Sequence, residues 1–326
     1  MLFDTYNRIH DYLRISLTDN CNFRCSYCMP EEKIQCLPSS RLMQKEEIFA
    51  LANIFVGLGI KKIRLTGGEP LLRKDFDEIY SVLAQLPVTL TLTTNGFWLD
   101  KYIGLFKKSG LKSLNISIDT LNREKFFAIT RRDHLDAVWK NIVLMIENGF
   151  DVKLNTVLMK NVNENELNDF INLTEKWPVH VRFIEFMPFD KNGWKKDKVV
   201  AIDDVLPGIY EKYNVTKLLD EKHDTAKKFQ IAGFPGTFAF ITTMSQPFCG
   251  DCNRLRLTAD GKIKNCLFGK EELDLLTALR QGEDVESLIR LSVQRKHAMM
   301  GGQFQGSYLD ADVEKVQNRS MIKIGG

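Results

Sequence analysis

Six short β-rich runs, each separated from the next by a longer connection, constrain this chain more than any other feature. They are "YLRISLT" (12–18), "KKIRLTGG" (61–68), "VTLTLTTNG" (88–96), "LKSLNISID" (111–119), "DVKLNTVLM" (151–159) and "VHVRFIEFM" (179–187). Helical spacing is read near 44–58, in "LRKDFDEIYSVLAQL", and at 134–149 and 164–176. Strands joined through helices predict a parallel sheet with right-handed crossovers. Polar residues gather at the C-terminal ends of the runs, in Thr66-Gly67-Gly68-Glu69, Thr93-Thr94-Asn95-Gly96 and Ser117-Ile118-Asp119. Parallel α/β folds, barrels and open sheets alike, build their sites on that edge. Six units fall short of a closed eight-unit barrel, so an α/β fold with a partial (β/α)6 barrel, open at the side, is expected over residues 1–190.

The pattern changes after about residue 190. "DKNGWKKDK" is a polar break, and residues 191–326 read as a C-terminal region with "GTFAFITTM", a hairpin across "ADGK" (259–262) and two helices near 270–299. A chain of 326 residues that is 44% hydrophobic can bury a large core. Its 45 basic and 42 acidic residues nearly balance and form no long basic block, which argues against a nucleic-acid partner. No window approaches the roughly 20 apolar residues of a membrane helix, and the first residues lack the pattern of a signal peptide. A cytoplasmic location is therefore expected, where thiols stay reduced and seven cysteines point to metal or catalysis.

Six of those cysteines fall into two groups of three. Cys21, Cys25 and Cys28 follow C-x3-C-x2-C directly after a strand; Cys249, Cys252 and Cys266 follow C-x2-C-x13-C. Only Cys36 stands apart. Three thiolates can hold three corners of an iron–sulfur cube and leave the fourth iron open for a small molecule. The alternative is zinc completed by a remote side chain, for which His297 is the nearest downstream histidine of the second group. Arg254 and Arg256 alternate on a β-like stretch beside Cys252 and so share a face. Two guanidiniums there would suit a triphosphate, although such a pair can equally be a solvated face or belong to ion pairs.

The C-x3-C-x2-C motif with Tyr27 before its third cysteine, followed by "GGEP" after the next strand, resembles the radical S-adenosylmethionine (SAM) superfamily. The whole set, "TDNCNFRCSYCMP", "IRLTGGEPLLR", "LTTNG", "NISID", "RFIEFMPF", "FCGDCNRLRLTADGKIKNCLF" and the final Gly325-Gly326, resembles the GTP 3′,8-cyclase family of molybdenum cofactor biosynthesis. That resemblance implies two 4Fe–4S clusters, each with three cysteine ligands, and SAM as cosubstrate on the first. It implies SAM contacts from Tyr27, the Gly67–Pro70 turn with Gly68, Ser117 and Met187, and GTP contacts from Arg14, Arg64, Thr93, Lys153, Arg254, Leu255 and Arg256. It implies that Gly325 and Gly326 reach the active site. The implied reaction converts GTP to (8S)-3′,8-cyclo-7,8-dihydroguanosine 5′-triphosphate, with a reducing electron donor, a homodimer, and a downstream cyclic pyranopterin monophosphate synthase. Arg14, Arg64 and Lys153 sit among apolar residues on buried strands, where an unpaired cation is costly; their partners are either an anionic ligand or carboxylates such as Glu69, Asp119 and Glu185. Arg182, on a similar strand, carries no assignment. The competing expectations are a peptide-modifying radical SAM enzyme with an auxiliary cluster and a non-catalytic zinc module.

Overall fold

The computed structural model describes residues 1–29, 36–304 and 316–325. The β/α rhythm begins with β1 (Tyr12–Ser16), α1 (Lys45–Gly57), β2 (Lys62–Thr66), α2 (Phe76–Leu83), β3 (Thr89–Thr94), α3 (Ile103–Lys108) and β4 (Ser113–Ser117). It continues through α4 (Arg123–Thr130), α5 (Leu135–Glu147), β5 (Asp151–Leu158), α6 (Leu167–Lys176) and β6 (His180–Glu185). The later region supplies α7 (Ile202–Lys212), β7 (Val215–Lys217), β8 (Lys227–Ile231), β9 (Thr237–Ile241), β10 (Arg254–Leu257), β11 (Lys262–Lys264) and β12 (Leu273–Asp274). Three helices follow: α8 (Leu275–Gln281), α9 (Val285–Gln294) and the single turn α10 (Met321–Ile324).

Among the described residues, twelve strands form one sheet in the order β12-β11-β10-β1-β2-β3-β4-β5-β6-β9-β8-β7. Strands β1 to β6 pair in parallel in sequence order, as the six runs require. The C-terminal region then adds a parallel strand at each side, β10 beside β1 and β9 beside β6, each followed outward by antiparallel neighbours. The parallel part is thus wider than six strands, because residues far downstream complete both of its flanks.

Strand alternation explains the layering. In β5, Val152, Leu154, Thr156 and Leu158 are buried while Lys153, Asn155 and Val157 are only partly so. Val152, Leu154 and Leu158 join Leu13, Ile15, Ile63, Leu65, Leu92, Leu114, Ile116, Val181, Phe183, Leu255 and Leu257 in one core with the helices. Fully burying each such side chain is worth roughly 1.5–3 kcal/mol, which fixes the strand register, since a slip of one residue would turn this row outward. The opposite face is polar. Arg254 and Arg256 lie beside Tyr12 and Arg14, which lie beside Lys62 and Arg64. No helix among the described residues is long and apolar enough to cross a membrane.

Candidate active site: two cysteine trios and a cationic sheet face

The first cysteine loop is held by the strand that follows it in the sheet. The Gly68 N–H donates to the Thr18 carbonyl at 2.6 Å and the Glu69 N–H to Asn20 at 2.8 Å. A Cβ at Gly67 would come within 2.7 Å of the Thr18 oxygen, and one at Gly68 would collide with the Asn20 carbonyl. The glycines are thus required where the turn touches the chain just ahead of Cys21. Glu69 is fully buried and accepts hydrogen bonds from the Thr94 hydroxyl and the Asn95 and Leu71 N–H groups, at 2.7, 2.7 and 3.0 Å. Burial pushes its carboxyl up to about 7, against those donors. Asn95 then donates to Asn22 at 2.8 Å and lies 3.8 Å from the Cys21 sulfur. Phe23, inside the first cysteine gap, is buried edge-on against Phe126, with centroids 5.7 Å apart. The Arg24 and Ser26 N–H groups donate to Thr130 and Ile129 at the end of α4.

Tyr27 donates its hydroxyl to Asp119 at 2.8 Å, and Asp119 also accepts the Val157 N–H at 2.9 Å. Burial raises Asp119 to about 6. The three thiols of this loop are raised as well: Cys21 to about 12 by burial and by Glu69, Cys25 and Cys28 by burial, by Asp119 and by other thiols of the trio. Ser117 ends β4, in register with Asn155.

The second trio has a different setting. Cys249 opens a 3-10 turn (Cys249–Asp251) and its sulfur accepts the Met300 N–H at 3.5 Å. The Lys296 ammonium lies 3.3 Å from the Cys252 sulfur. Burial would raise the Cys252 thiol, but the Arg254 and Lys296 charges bring it down to about 6. The loop is clamped from the N-terminus: Arg8 donates to the carbonyls of Cys249, Ala298 and His297 at 2.7–2.8 Å and pairs with buried Asp4. A second apolar cluster, with Phe186, Phe189, Trp194, Met300 and Ile324 in its core, takes Tyr27 and Met187 on one side and Cys249 and Cys266 on another. The second trio thus borders this wall through Cys249 and Cys266, and the first loop through Tyr27, whereas Cys21 and Cys25 pack against the main core.

The cationic face meets the second trio at Arg256, whose charge neighbours Cys252 and Cys266. Arg64 is 5% and Arg256 8% exposed. Arg64 donates to the Tyr12 phenol and, at 3.3 Å, to the Thr93 hydroxyl. Burial lowers every cation resolved here, with neighbouring cations adding to it: Lys153 to about 8, Arg182 to about 9, Arg256 to about 10, and Arg14 well below its ordinary value. The three carboxylates considered from the sequence bond elsewhere, Glu69 and Asp119 as above and Glu185 with the Met244 and Ser245 N–H groups at 2.7 and 3.0 Å. Tyr12 was not among the expected site residues; burial would raise its phenol, but Arg64 and Arg14 pull it down to about 7. Arg182 joins the band with its Nε and one terminal nitrogen buried and without a hydrogen-bond partner among the described residues. Leu255 lies on the other face of β10, wholly buried in the main core, so any contact it makes with a ligand on the cationic face is through its main chain. Arg256 donates to the Gly325 carbonyl at 2.6 Å, and the Ile322 N–H reaches the Cys28 sulfur. A Cβ on Gly325 would come within 2.7 Å of the Thr66 hydroxyl, at a left-handed φ of 84°. Gly326 lies outside the described residues.

Three soft thiols on one short loop, bordered by a glycine turn that lets backbone approach closely, fit an iron–sulfur cube with an open iron at the first trio; the second trio offers the same donors. Among the described residues no group of three or more His, Cys, Asp or Glu side chains is arranged to hold a single metal ion, and His297 completes no such site. A cube uses one sulfur per iron and does not need its thiols to converge on one point.

The fold and the first loop define the class. The family model of the radical SAM superfamily matches residues 15–174, and that of Molybdenum Cofactor Synthesis C matches 179–301. SuiB of Streptococcus suis bound to S-adenosylmethionine superposes with a TM-score of 0.60 at 14% identity, covering 94% of this chain and 72% of SuiB, a likeness of fold. Within the class, the chain belongs to the GTP 3′,8-cyclase family: it is 46% identical to the mitochondrial GTP 3′,8-cyclase of Arabidopsis thaliana, over 100% of this chain and 84% of that protein. It is 40% identical to the GTP 3′,8-cyclase of Desulforamulus reducens, over 89% of this chain and 91% of the relative. Molybdenum cofactor biosynthesis protein 1 of Homo sapiens is 46% identical over 99% of this chain, which spans about half (51%) of that longer protein.

Proposed function

We propose that the chain is a radical SAM enzyme that cyclises GTP to (8S)-3′,8-cyclo-7,8-dihydroguanosine 5′-triphosphate in molybdenum cofactor biosynthesis. The observation that carries this reading is the crowded, buried cationic face, which meets the second cysteine trio at Arg256 and is linked to Cys28 of the first through the tail residues Gly325 and Ile322. Cys21, Cys25 and Cys28 hold one 4Fe–4S cluster, and Cys249, Cys252 and Cys266 the other. When bound, the first supplies the electron that cleaves SAM to methionine and a 5′-deoxyadenosyl radical, and the second an open iron for the guanine.

The chain's own residues do the positioning. Arg14, Arg64, Lys153, Arg254 and Arg256 receive the triphosphate, and Arg182 extends that receptor beyond the residues implied by sequence resemblance. Each guanidinium offers a fixed, planar set of donors, which restrains the phosphates more than a flexible ammonium does. Thr93, already oriented by Arg64, faces the same space. Tyr27, Gly68, Ser117 and Met187 line the SAM end. Joining the ribose to its own base demands a near-attack pose, which anchoring both ends of the nucleotide supplies. The apolar wall around Phe186, Phe189 and Trp194 keeps water from the reactive space. The final glycines enter the site, Gly325 at Arg256.

Two units divide this labour, residues 1–190 around SAM and residues 191–326 around the second cluster. A cytoplasmic homodimer, a reducing electron donor and a downstream cyclic pyranopterin monophosphate synthase complete the proposal. Anaerobic protein given SAM, a reductant and GTP is expected to form 5′-deoxyadenosine and a cyclised nucleotide, identified by mass spectrometry, with about eight irons per chain for two cubes. Deoxyadenosine formation that ignores GTP would overturn the substrate; zinc in place of iron would overturn the chemistry.

A further inference from the structure

Lys296 lies just beyond α9 and is 3% exposed. A buried ammonium is costly unless something compensates it, and among the described residues no carboxylate forms an ion pair with it. Its Nζ donates instead to the Arg254 carbonyl at 3.0 Å and lies 3.3 Å from the Cys252 sulfur. Helix α9 ends at Gln294, and the Lys296 N–H closes the turn onto the Val293 carbonyl at 3.1 Å. The fold thus delivers this side chain to the sulfur from a separate element.

The first trio has no cation hydrogen-bonded to a cysteine sulfur among the described residues. The Cys21 sulfur meets the Asn95 amide at 3.8 Å and the Phe23 N–H at 3.4 Å. The buried carboxyls of Glu69 and Asp119 stand near that loop, Asp119 bonded to Tyr27 between Cys25 and Cys28. The first trio has two buried acids beside it and Arg24 at the Cys21 carbonyl, whereas the second has Lys296 on a ligand sulfur and Arg254 beside it.

We propose that Lys296 is a positioning residue that hydrogen-bonds the Cys252 sulfur and holds the second cluster at a higher reduction potential than the first. The inference rests on the two-cluster reading above. A 4Fe–4S cube carrying three thiolates is negative, and reduction adds one electron, taken from the external reductant. A cation on a ligand sulfur stabilises the added charge, whereas neighbouring carboxylates oppose it; hydrogen bonds to sulfur and local charge are the means by which proteins set these potentials. The arrangement leaves the first cluster the stronger reductant, as cleavage of a sulfonium demands.

The test is a dithionite titration of the anaerobic holoprotein followed by electron paramagnetic resonance. The signal that responds to SAM marks the first cluster and serves as the internal reference. Lys296→Met should make the second cluster about tenfold harder to reduce, a move of about 59 mV to lower potential for one electron. Lys296→Arg, which keeps the charge, should stay near the native value, and the first cluster should not move in either. Loss of the second cube in Lys296→Met but not in Lys296→Arg also supports the role. An unmoved potential in Lys296→Met, an equal shift in both variants, or loss of the cube in both, overturns it. A native chain with only four irons would instead overturn the two-cluster reading, so the two failures are separable.

Discussion

The cations of the sheet face show how a residue's function can be inferred from what the fold withholds from it. Arg256 is almost fully buried, and its described hydrogen bond goes to a backbone carbonyl of the tail. A hydrogen bond to a charged group is worth ~1.5–3 kcal/mol, so Arg256→Ala should weaken GTP binding roughly 10- to 100-fold, measured by anaerobic calorimetry, with SAM binding retained. Unchanged GTP affinity would return this arginine to a structural role. His10 makes a second case. It is fully buried beside Asp4, and burial together with the Lys296 charge lowers it to about 4 from 6.5, outweighing Asp4. A histidine with a depressed folded value contributes stability that is complete above pH 6.5 and is lost as pH falls towards 4. Thermal melts of the native chain should therefore drop over that window, by something on the order of 3 kcal/mol. His10→Gln should flatten the dependence; an equally steep curve in that variant would assign the drop to other groups.

At the scale of elements, the turn after β2 and the loop after β1 behave as one unit. Gly68→Ala would drive a methyl into the Asn20 carbonyl, so it should displace the first cysteine loop, lowering iron to about four per chain and abolishing SAM binding. Full iron loading in that variant would mean that the loop can retreat without consequence. The six β-runs and the first loop were legible in the sequence because their signals are local: alternation, spacing and a glycine turn. Parallel pairing of β9 and β10 was not, since hydrogen-bonded edges carry no local pattern. Lys296 was invisible for a similar reason. One lysine after an amphipathic helix reads as solvated surface, and only the packing of α9 against the sheet turns it towards Cys252. Arg254 and Arg256 were readable as a pair, whereas the phenol of Tyr12 gains meaning only once Arg64 is known to sit beside it.

At the scale of the whole molecule, β10 and β9 flank the six-strand series on both sides. A fragment of residues 1–190 lacks both, leaving β1 and β6 as bare parallel edges backed by apolar faces, an arrangement prone to association. Such a fragment should elute as aggregate in size-exclusion chromatography and show no cooperative melt. A soluble, cooperatively melting fragment would mean that the first unit stands alone.

The seam between β1 and β10 also sets a timetable for synthesis. Asp11 and Asn253 are hydrogen-bonded at 2.7 Å yet stand 242 residues apart. The opening strand leaves the ribosome long before its neighbour exists and must wait, one side unzipped, through most of translation. Contacts of such long range fold slowly, which makes the nascent chain a natural client for chaperones until its last third arrives.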